Sequence, residues 1–223
     1  MSGANWTAVI PVKSLSAAKS RLRGAVADAR HEELALAMVR DTVAAVRACP
    51  AVGDVLVVTD DPAAAAAVTD LGARAVPDRP AAGLNAAMRF GADVVAGLAH
   101  RRAALTGDLP ALRPDELGAA LAAAGPGRSF VADAAGTGTV LLTAEPGTAL
   151  DPRFGVGSAG AHAASLARPL SGTWPGLRQD VDTADDLRTV LALGAGEHTC
   201  GLLRDLGLIV ECGFSGVRGG PAR

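Results

Sequence analysis

The chain has 223 residues, of which 49% are hydrophobic, and this is enough apolar material for one compact α/β domain. A net charge of −2 and an aromatic content of 3% exclude both a global basic field and the stacking platforms of single-stranded nucleic-acid binders, so we expect no nucleic-acid partner. No run of roughly 18 apolar residues and no export signal is present, which predicts no membrane partner and a cytoplasmic location. Three scattered cysteines without a C-x-x-C pair favour free thiols.

Strands and helices alternate along the chain. We predict strands in WTAVIPV, VGDVLVVTDDP, ARAVPD, the stretch 103–105, SFVAD, GTVLLTA and LRQDVDT. We predict helices over 31–48, 63–71, 84–99, 114–124, 158–167 and 184–193. This alternation predicts a single Rossmann-like α/β domain over 1–204, with a mostly parallel sheet sandwiched by helices and ligands at the carboxyl ends of the strands. The tail 205–223 is left unassigned, and its Gly/Pro-rich end is predicted to be partly disordered.

A glycine loop lies in RFGVGSAGAHAA, which contains a literal G-x-G-x-x-G. A dinucleotide site needs a strand just before the glycines and an acidic residue about 20 positions later, and neither is clear here. The glycines still let backbone N–H groups approach an anion, Ser158 begins a helix with free amides, and Arg153 adds a cation. A small phosphate or carboxylate fits this loop better than a dinucleotide. The alternative is a plain helix start that Ser158 caps.

Three carboxylates follow predicted strands or end them. Asp108 comes directly after a strand in LTGDLP, while Asp180 and Asp182 stand two residues apart in RQDVDT. In an extended segment, residues i and i+2 project from the same face, so this pair would converge with Asp108 if the two strands are neighbours. Carboxylate oxygens are preferred ligands of Mg²⁺, which predicts a metal site. The alternative for each Asp is a turn former or a helix cap.

A cationic loop, PVKSLSAAKSRLRG, follows the first strand, where a doubly wound fold binds nucleotides. It is not a phosphate-binding loop of the G-x-x-x-x-G-K-[ST] type, so cationic side chains would have to meet the phosphates. Lys13, Lys19, Arg21 and Arg23 offer up to four positive charges for a triphosphate. A solvated basic face is the alternative interpretation.

The motifs AVIPVKSLSAAKSRL, VVTDD, GLNAAM, LTGDLPAL, GTGTVLL, FGVGSAGAH and DVDTADDL occur in this order. With them, the chain resembles the guanylyltransferases of deazaflavin coenzyme (coenzyme F-420) biosynthesis, which are similar to nucleotidyltransferases that act on the molybdenum cofactor and on sugar nucleotides. The actinobacterial branch of that family joins GTP to phosphoenolpyruvate and releases pyrophosphate, and the archaeal branch is known for 2-phospho-L-lactate. The resemblance covers about residues 6–204.

The resemblance implies three groups of site residues. The GTP triphosphate would be met by Lys13, Lys19 and Arg23, and guanine or ribose would be approached by Asn85. Mg²⁺ would be held by Asp108, Asp180 and Asp182. The phosphate of the acceptor would be bound by Thr139, Gly155 and Ser158, with Thr137 as an open alternative to Thr139. Lys13, Arg23 and Asp108 would carry the catalytic charge stabilisation.

The implied reaction is an in-line attack of the acceptor phosphate on the α-phosphorus of GTP. A phosphate is already ionised at neutral pH, so no general base is needed, and His162 is interpreted as a face residue of its helix. A downstream transferase would take up the product. Alternatives are the same chemistry on 2-phospho-L-lactate or 3-phosphoglycerate and a non-catalytic nucleotide-binding module. A dehydrogenase would require an acidic ribose ligand that we do not find.

Overall fold

The computed structural model describes residues 6–16, 30–210 and 212, and seven strands within these residues form one sheet. They are β1 (Trp6–Pro11), β2 (Val52–Val58), β3 (Arg74–Val76), β4 (Arg101–Leu105), β5 (Arg128–Ala132), β6 (Thr139–Ala144) and β7 (Arg168–Pro169). Their order is β3-β2-β1-β4-β6-β5-β7. Strand β6 runs antiparallel to β4 and β5, and the other described pairings are parallel. The prediction of a mostly parallel α/β sheet is confirmed.

Helices cover both faces of this sheet. They are α1 (His31–Ala48), α2 (Pro62–Asp70), α3 (Leu84–Arg89), a π-helix (Phe90–Gly97) that continues α3, α4 (Pro114–Ala123), α5 (Ser158–Ala164), α6 (Pro175–Arg178), α7 (Ala184–Leu193) and α8 (Glu197–Asp205). None of the helices within residues 6–16 and 30–210 is long and apolar enough to cross a membrane.

The helix ends follow local sequence signals. Helix α2 begins at Pro62, where the missing N–H costs nothing, and the Asp61 side chain accepts the free N–H groups of Ala63 and Ala64. Helix α7 begins with a reciprocal capping box, in which Thr183 and Asp186 each accept a backbone N–H of the other. Both helices therefore lie close to their predicted positions.

The core is divided by the sheet into two apolar layers. Because side chains alternate along a strand, Ala8 and Ile10 of β1 point into one layer and Val9 points into the other. The first layer lies under α1, α2 and α4, and the second lies under α3, the π-helix and α5. The π-helix approaches the sheet closely at Gly91, where an added Cβ would lie 2.6 Å from Val9 Cγ1.

A buried arginine ties the second layer to the loop after β6. Arg102 of β4 is fully buried, and its guanidinium binds the carboxylate of Asp93 in the π-helix at 2.9 Å. It also donates to the backbone carbonyls of Glu145 and Thr148. Buried charges are tolerated when they are paired and hydrogen-bonded in this way. The start of the loop that leads to the glycine segment is thereby held against the sheet.

Two sequence predictions are wrong. LRQDVDT is not a strand: it contains the end of α6 and an extended segment, of which Val181 donates an N–H to the Asp108 carbonyl at 3.2 Å. The free-thiol expectation fails for Cys200 and Cys212, which form a disulfide between α8 and the end of the described chain, whereas Cys49 is a buried free thiol. Helix α8 itself had no sequence prediction.

The sheet topology brings distant segments to one edge. The carboxyl ends of the parallel strands β1, β4 and β5 lie at this edge, and β6 begins there because it runs in the opposite direction. Thr139, the first residue of β6, is paired with Ala132 at the end of β5. The segments after β1, β4 and β5 and the start of β6 therefore share the edge where this fold class places ligands.

Candidate active site

The cationic loop leaves β1 at the ligand edge. Lys13 is exposed there, and the following turn is fixed by the Leu15 N–H, which donates to the Asp61 carboxylate at 3.0 Å. Burial raises the pKa of Asp61, but the N–H donors of Leu15, Ala64 and Ala63 outweigh it and keep the pKa below its usual value. Lys13 is thus placed as predicted, at the carboxyl end of the first strand.

The other cations of this loop, Lys19, Arg21 and Arg23, lie outside the described residues. Their predicted contact with a triphosphate stays a prediction, as does that of Lys13.

Three carboxylates at this edge act on a fourth, Asp180. Asp180 is partly buried, and its pKa is raised to about 7 by burial first and then by the negative charges of Asp108, Asp182 and Asp133. The charges of Asp108 and Asp182 thus reach Asp180 although the segment 179–183 is not a strand, and convergence of the three on a metal stays a prediction. The backbone contact between Val181 and Asp108 is what brings the two segments together.

The carboxylate cluster, defined as Asp108, Asp133, Asp180 and Asp182, offers only oxygen atoms, the ligand type that a hard divalent cation prefers. The negative charges of Asp108, Asp182 and Asp133, which raise the pKa of Asp180, would be offset by a cation placed among them. Across the described part of the chain, no three His, Cys, Asp or Glu side chains stand close enough to form a ready ligand set. Metal binding by Asp108, Asp180 and Asp182 stays a prediction.

The predicted acceptor residues Thr139 and Ser158 are both buried and are joined through α5. The Thr139 hydroxyl lies 2.9 Å from Nδ1 of His162, a fully buried residue of α5. Ser158 is the first residue of α5, whereas the N-cap is Gly157, with a φ of 71°. Interpretation of Ser158 as the N-cap is therefore wrong, because a glycine in the left-handed conformation precedes the helix.

The glycine loop has no strand directly before it, as expected. Gly155 is exposed, and its backbone has a φ of 135°, a conformation that residues other than glycine rarely adopt. The Arg153 side chain is bound to Asp151 at 3.1 Å. Arg153 is therefore a paired cation at the entrance to the loop.

Thr137 and Thr139 have different surroundings. Thr137 is exposed in the turn between β5 and β6, and its carbonyl accepts the N–H of Ala159 in α5 at 3.1 Å. The Asp133 carboxylate accepts the backbone N–H groups of Thr137 and Gly138. Asp133 thus connects the carboxylate cluster to the turn that carries both threonines.

Asn85 does not stand free at the nucleotide edge. Its carboxamide pairs with both backbone groups of Phe154: Oδ1 accepts the N–H at 2.7 Å, and Nδ2 donates to the carbonyl at 3.0 Å. The prediction that Asn85 approaches guanine or ribose stays untested, but its observed contact is with the glycine loop.

Sequence reasoning missed Asp133 and the role of His162. Asp133 directly follows β5, and the rule that singled out Asp108 after β4 would have found it. His162 lies four residues after Ser158, so both fall on the same face of α5, and this face is buried. No sequence signal connects His162 with Thr139, because the contact joins a helix to a strand 23 positions away.

Solved structures define the class of fold. A protein from Desulfovibrio desulfuricans G20, assigned as a nucleotide-diphospho-sugar transferase, superposes with a TM-score of 0.69 at 15% identity and covers 91% of this chain and 96% of its own. At this identity the likeness shows the fold alone, an α/β fold with a mostly parallel sheet.

Sequence relatives define the family. Phosphoenolpyruvate guanylyltransferases of Salinispora arenicola (strain CNS-205) and Geodermatophilus obscurus are 62% and 58% identical, over 87% and 89% of this chain and 91% and 94% of their own. The family described as "Guanylyl transferase CofC like" matches residues 6–218. The chain belongs to this family of guanylyl transferases, as the sequence resemblance implied.

Proposed function

We propose that the protein transfers the guanylyl group of GTP to phosphoenolpyruvate, giving enolpyruvyl-diphospho-guanosine and pyrophosphate for coenzyme F-420 biosynthesis. The names of the two relatives support this acceptor. The observation that carries the proposal is the connection between the carboxylate cluster and the predicted acceptor residues, which Asp133 makes through the turn before Thr139.

The chemistry is a single in-line displacement. An oxygen of the acceptor phosphate forms a bond to the α-phosphorus of GTP, and the bond between that phosphorus and the bridging oxygen of the pyrophosphate breaks. No residue has to remove a proton, because the attacking phosphate is ionised. The protein contributes positioning and charge stabilisation, which are the main sources of catalysis in phosphoryl transfer.

Each group of residues has one task. Lys13, with Lys19 and Arg23, offsets the charge of the triphosphate and of the leaving pyrophosphate. The phospho-acid is bound by Thr139 at the start of β6, Gly155 in the glycine loop and Ser158 at the start of α5. The nucleotide and the acceptor thus reach the carboxyl edge of the sheet from opposite sides of β4.

The carboxylate cluster is proposed to hold Mg²⁺ through Asp108, Asp180 and Asp182. When bound there, the cation lowers the repulsion between the anionic acceptor and the triphosphate. Asp180 is then held ionised, because a nearby positive charge lowers the pKa that burial and its neighbours raise.

Alternative acceptors for the same reaction are 2-phospho-L-lactate and 3-phosphoglycerate. Like phosphoenolpyruvate, both are small phospho-acids with a carboxylate. A non-catalytic nucleotide-binding module would use the cationic loop and would have no need of clustered carboxylates. The raised pKa of Asp180 favours the enzyme, because perturbed carboxylates at a ligand edge are typical of catalytic sites.

Pyrophosphate release tests the proposal. The protein is mixed with GTP, Mg²⁺ and each of the three phospho-acids in turn, and a downstream transferase with its deazaflavin acceptor is added to draw off a labile product. We expect release with phosphoenolpyruvate at the highest kcat/KM. Faster release with another phospho-acid would reassign the acceptor, and no release with any of them would favour the binding module.

A further inference from the structure

His162 is a buried imidazole that bridges two parts of the acceptor site. Its Nδ1 lies 2.9 Å from the Thr139 hydroxyl, and its Nε2 lies 2.9 Å from the backbone nitrogen of Arg153. Phe154 packs against the ring edge to face, with centroids 5.2 Å apart. One side chain therefore contacts both the start of β6 and the start of the glycine loop.

The hydrogen bonds assign the tautomer of this ring. A backbone N–H can only donate, so Nε2 must accept from Arg153 and carries no proton. In the neutral ring the proton is then on Nδ1, which donates to the Thr139 oxygen. The hydroxyl proton of Thr139 is consequently available to donate to a further acceptor atom.

The surroundings keep the ring neutral. Burial is the first cause that lowers the pKa of His162, to about 4, and the nearby positive charges of Arg128 and Arg153 add to it. Asp151 and the backbone of Ser158 act in the opposite direction, but Asp151 is itself bound to both arginines. The bridge therefore has one protonation state across the neutral range.

The same loop is held from its other side by Asn85. The carboxamide of this α3 residue binds the N–H and the carbonyl of Phe154, next to the residue that His162 binds. Two side chains from different helices thus fix consecutive peptide units directly before Gly155. A loop held this way costs less to order when a ligand binds, which is how preorganisation raises affinity.

Resting on the proposed function, we infer that His162 is a positioning residue for the phospho-acid: it turns the Thr139 hydroxyl into a hydrogen-bond donor toward the anion and holds the Arg153–Gly155 backbone beside it. Asn85 completes the clamp on the loop. An anionic acceptor needs donors, and a Thr139 hydroxyl whose proton pointed at His162 would present only lone pairs to it.

Two substitutions separate the two contacts of His162. The side-chain oxygen of Gln in His162→Gln can take the place of Nε2 and accept the Arg153 N–H, but no donor then faces Thr139. The side-chain NH₂ of Asn in His162→Asn can take the place of Nδ1 and donate to Thr139, but Arg153 loses its acceptor. We expect each variant to raise the KM for phosphoenolpyruvate roughly three- to tenfold, as for the loss of one hydrogen bond, and to leave the KM for GTP unchanged.

A double-mutant cycle tests whether His162 acts through Thr139. Thr139→Val removes the hydroxyl at nearly constant volume and is expected to raise the KM for phosphoenolpyruvate. If the inference is right, adding His162→Gln to Thr139→Val produces no further rise. If the rises in the KM for phosphoenolpyruvate multiply in the double variant, the inference is overturned. It is also overturned if His162→Gln raises the KM for GTP as much as the KM for phosphoenolpyruvate.

The tautomer is measured on the unaltered protein and does not depend on catalysis. In a ¹⁵N-histidine-labelled sample, the ring signals of His162 are identified by nuclear Overhauser effects between its ring protons and those of Phe154, whose ring centroid lies 5.2 Å away. We expect a protonated Nδ1 and an unprotonated Nε2 at pH 7, with no change down to pH 5. A protonated Nε2 or an imidazolium ring at pH 7 would refute the assignment even if the variants fail to fold.

The inference and the proposed function fail in different ways. If the unaltered protein is active with phosphoenolpyruvate and His162→Gln leaves its KM unchanged, the function stands and the inference falls. If no phospho-acid supports pyrophosphate release, calorimetric titration of phosphoenolpyruvate into the unaltered protein and into His162→Gln decides the inference. Weaker binding to the variant supports it, and equal or absent binding overturns it.

Discussion

Asp180 is partly buried among like charges, and this is an arrangement that folding alone does not favour. Its pKa of about 7 arises from burial and from the charges of Asp108, Asp182 and Asp133. A carboxylate whose ionisation is opposed by its neighbours is usually retained because a ligand or a reaction uses it. Single residues of this cluster are therefore the first place to test the chemistry.

Replacing Asp108 or Asp182 by Ala is expected to lower the rate of pyrophosphate release by at least about 10²-fold at saturating Mg²⁺, because a preorganised charged group at the reacting phosphates is lost. Asp70→Ala provides the matched control, since Asp70 is an exposed carboxylate at the end of α2. Near-normal turnover of either cluster variant would contradict the metal assignment.

Asp180→Asn is expected to change how stability depends on pH. The pKa of Asp180 in the folded protein lies above the usual 3.8, so the folded state favours the protonated carboxyl. The stability that this carboxyl contributes is fully present below pH 3.8 and is lost as the pH rises through about 7. The neutral Asn does not lose it. In EDTA, the free energy of unfolding of Asp180→Asn should therefore rise relative to that of the unaltered protein between pH 4 and pH 8.

The comparison is made by urea denaturation, with Asp70→Asn as the control for a carboxylate-to-amide change on the surface. Adding Mg²⁺ at pH 8 should stabilise the unaltered protein more than Asp180→Asn, since the cation offsets the same repulsion. A pH-independent difference between the two proteins would show that Asp180 ionises at its usual pKa.

At the scale of elements, α3 and the π-helix that continues it connect the sheet with the glycine loop. Asn85 in α3 binds Phe154, and Asp93 in the π-helix binds Arg102 and accepts the N–H of Leu150. The contacts with Phe154 and Leu150 hold two parts of the segment between β6 and α5. At Gly91 the backbone of the π-helix packs closely against the sheet.

Gly91→Ala is expected to lower the free energy of unfolding by roughly 1–3 kcal/mol, because the new Cβ would lie 2.6 Å from Val9 Cγ1 and 2.8 Å from Val58 Cγ2. Gly201→Ala is the matched control in α8, where an added Cβ meets nothing within 4 Å. That change should stabilise the protein by roughly 0.5–1 kcal/mol. Equal effects of the two changes in urea denaturation would contradict the packing argument.

At the scale of the whole molecule, one sheet edge gathers residues that are far apart in the chain, and a third apolar cluster attaches the last helices to this framework. Helix α8 is anchored by Asp41 of α1, whose carboxylate accepts the N–H groups of His198 and Thr199. Burial raises the pKa of Asp41, and these N–H donors act against it. The disulfide between Cys200 and Cys212 then closes the described chain onto α8.

Cys212→Ser is expected to lower the free energy of unfolding by about 2–4 kcal/mol, because the open chain gains conformational entropy in the unfolded state. Dithiothreitol should lower the stability of the unaltered protein by the same amount and leave that of Cys212→Ser unchanged. Denaturation with and without the reductant measures both effects. Stability that is insensitive to the reductant in both proteins would contradict a structural disulfide.

Local patterns in the chain are enough to predict several features of the fold. Helix α1 and helix α7 have the predicted bounds, because their apolar periodicity and the capping signals of α7 lie within a few residues of one another. The strand-end position of Asp108 and the family resemblance followed from local motifs in the same way. The site assignments to Lys19 and Arg23 rest on motifs alone.

Packing between distant segments settles which of these motifs meet. The alternation in LRQDVDT mimics a strand but finds no partner strand, because the chain there binds Asp108 through one backbone contact. The reversal of β6 places Thr139 at the ligand edge, where His162 contacts it across 23 positions, and Asn85 binds the glycine loop across 69 positions. Hydrogen bonds over such distances depend on sheet order and helix packing, which no local pattern contains.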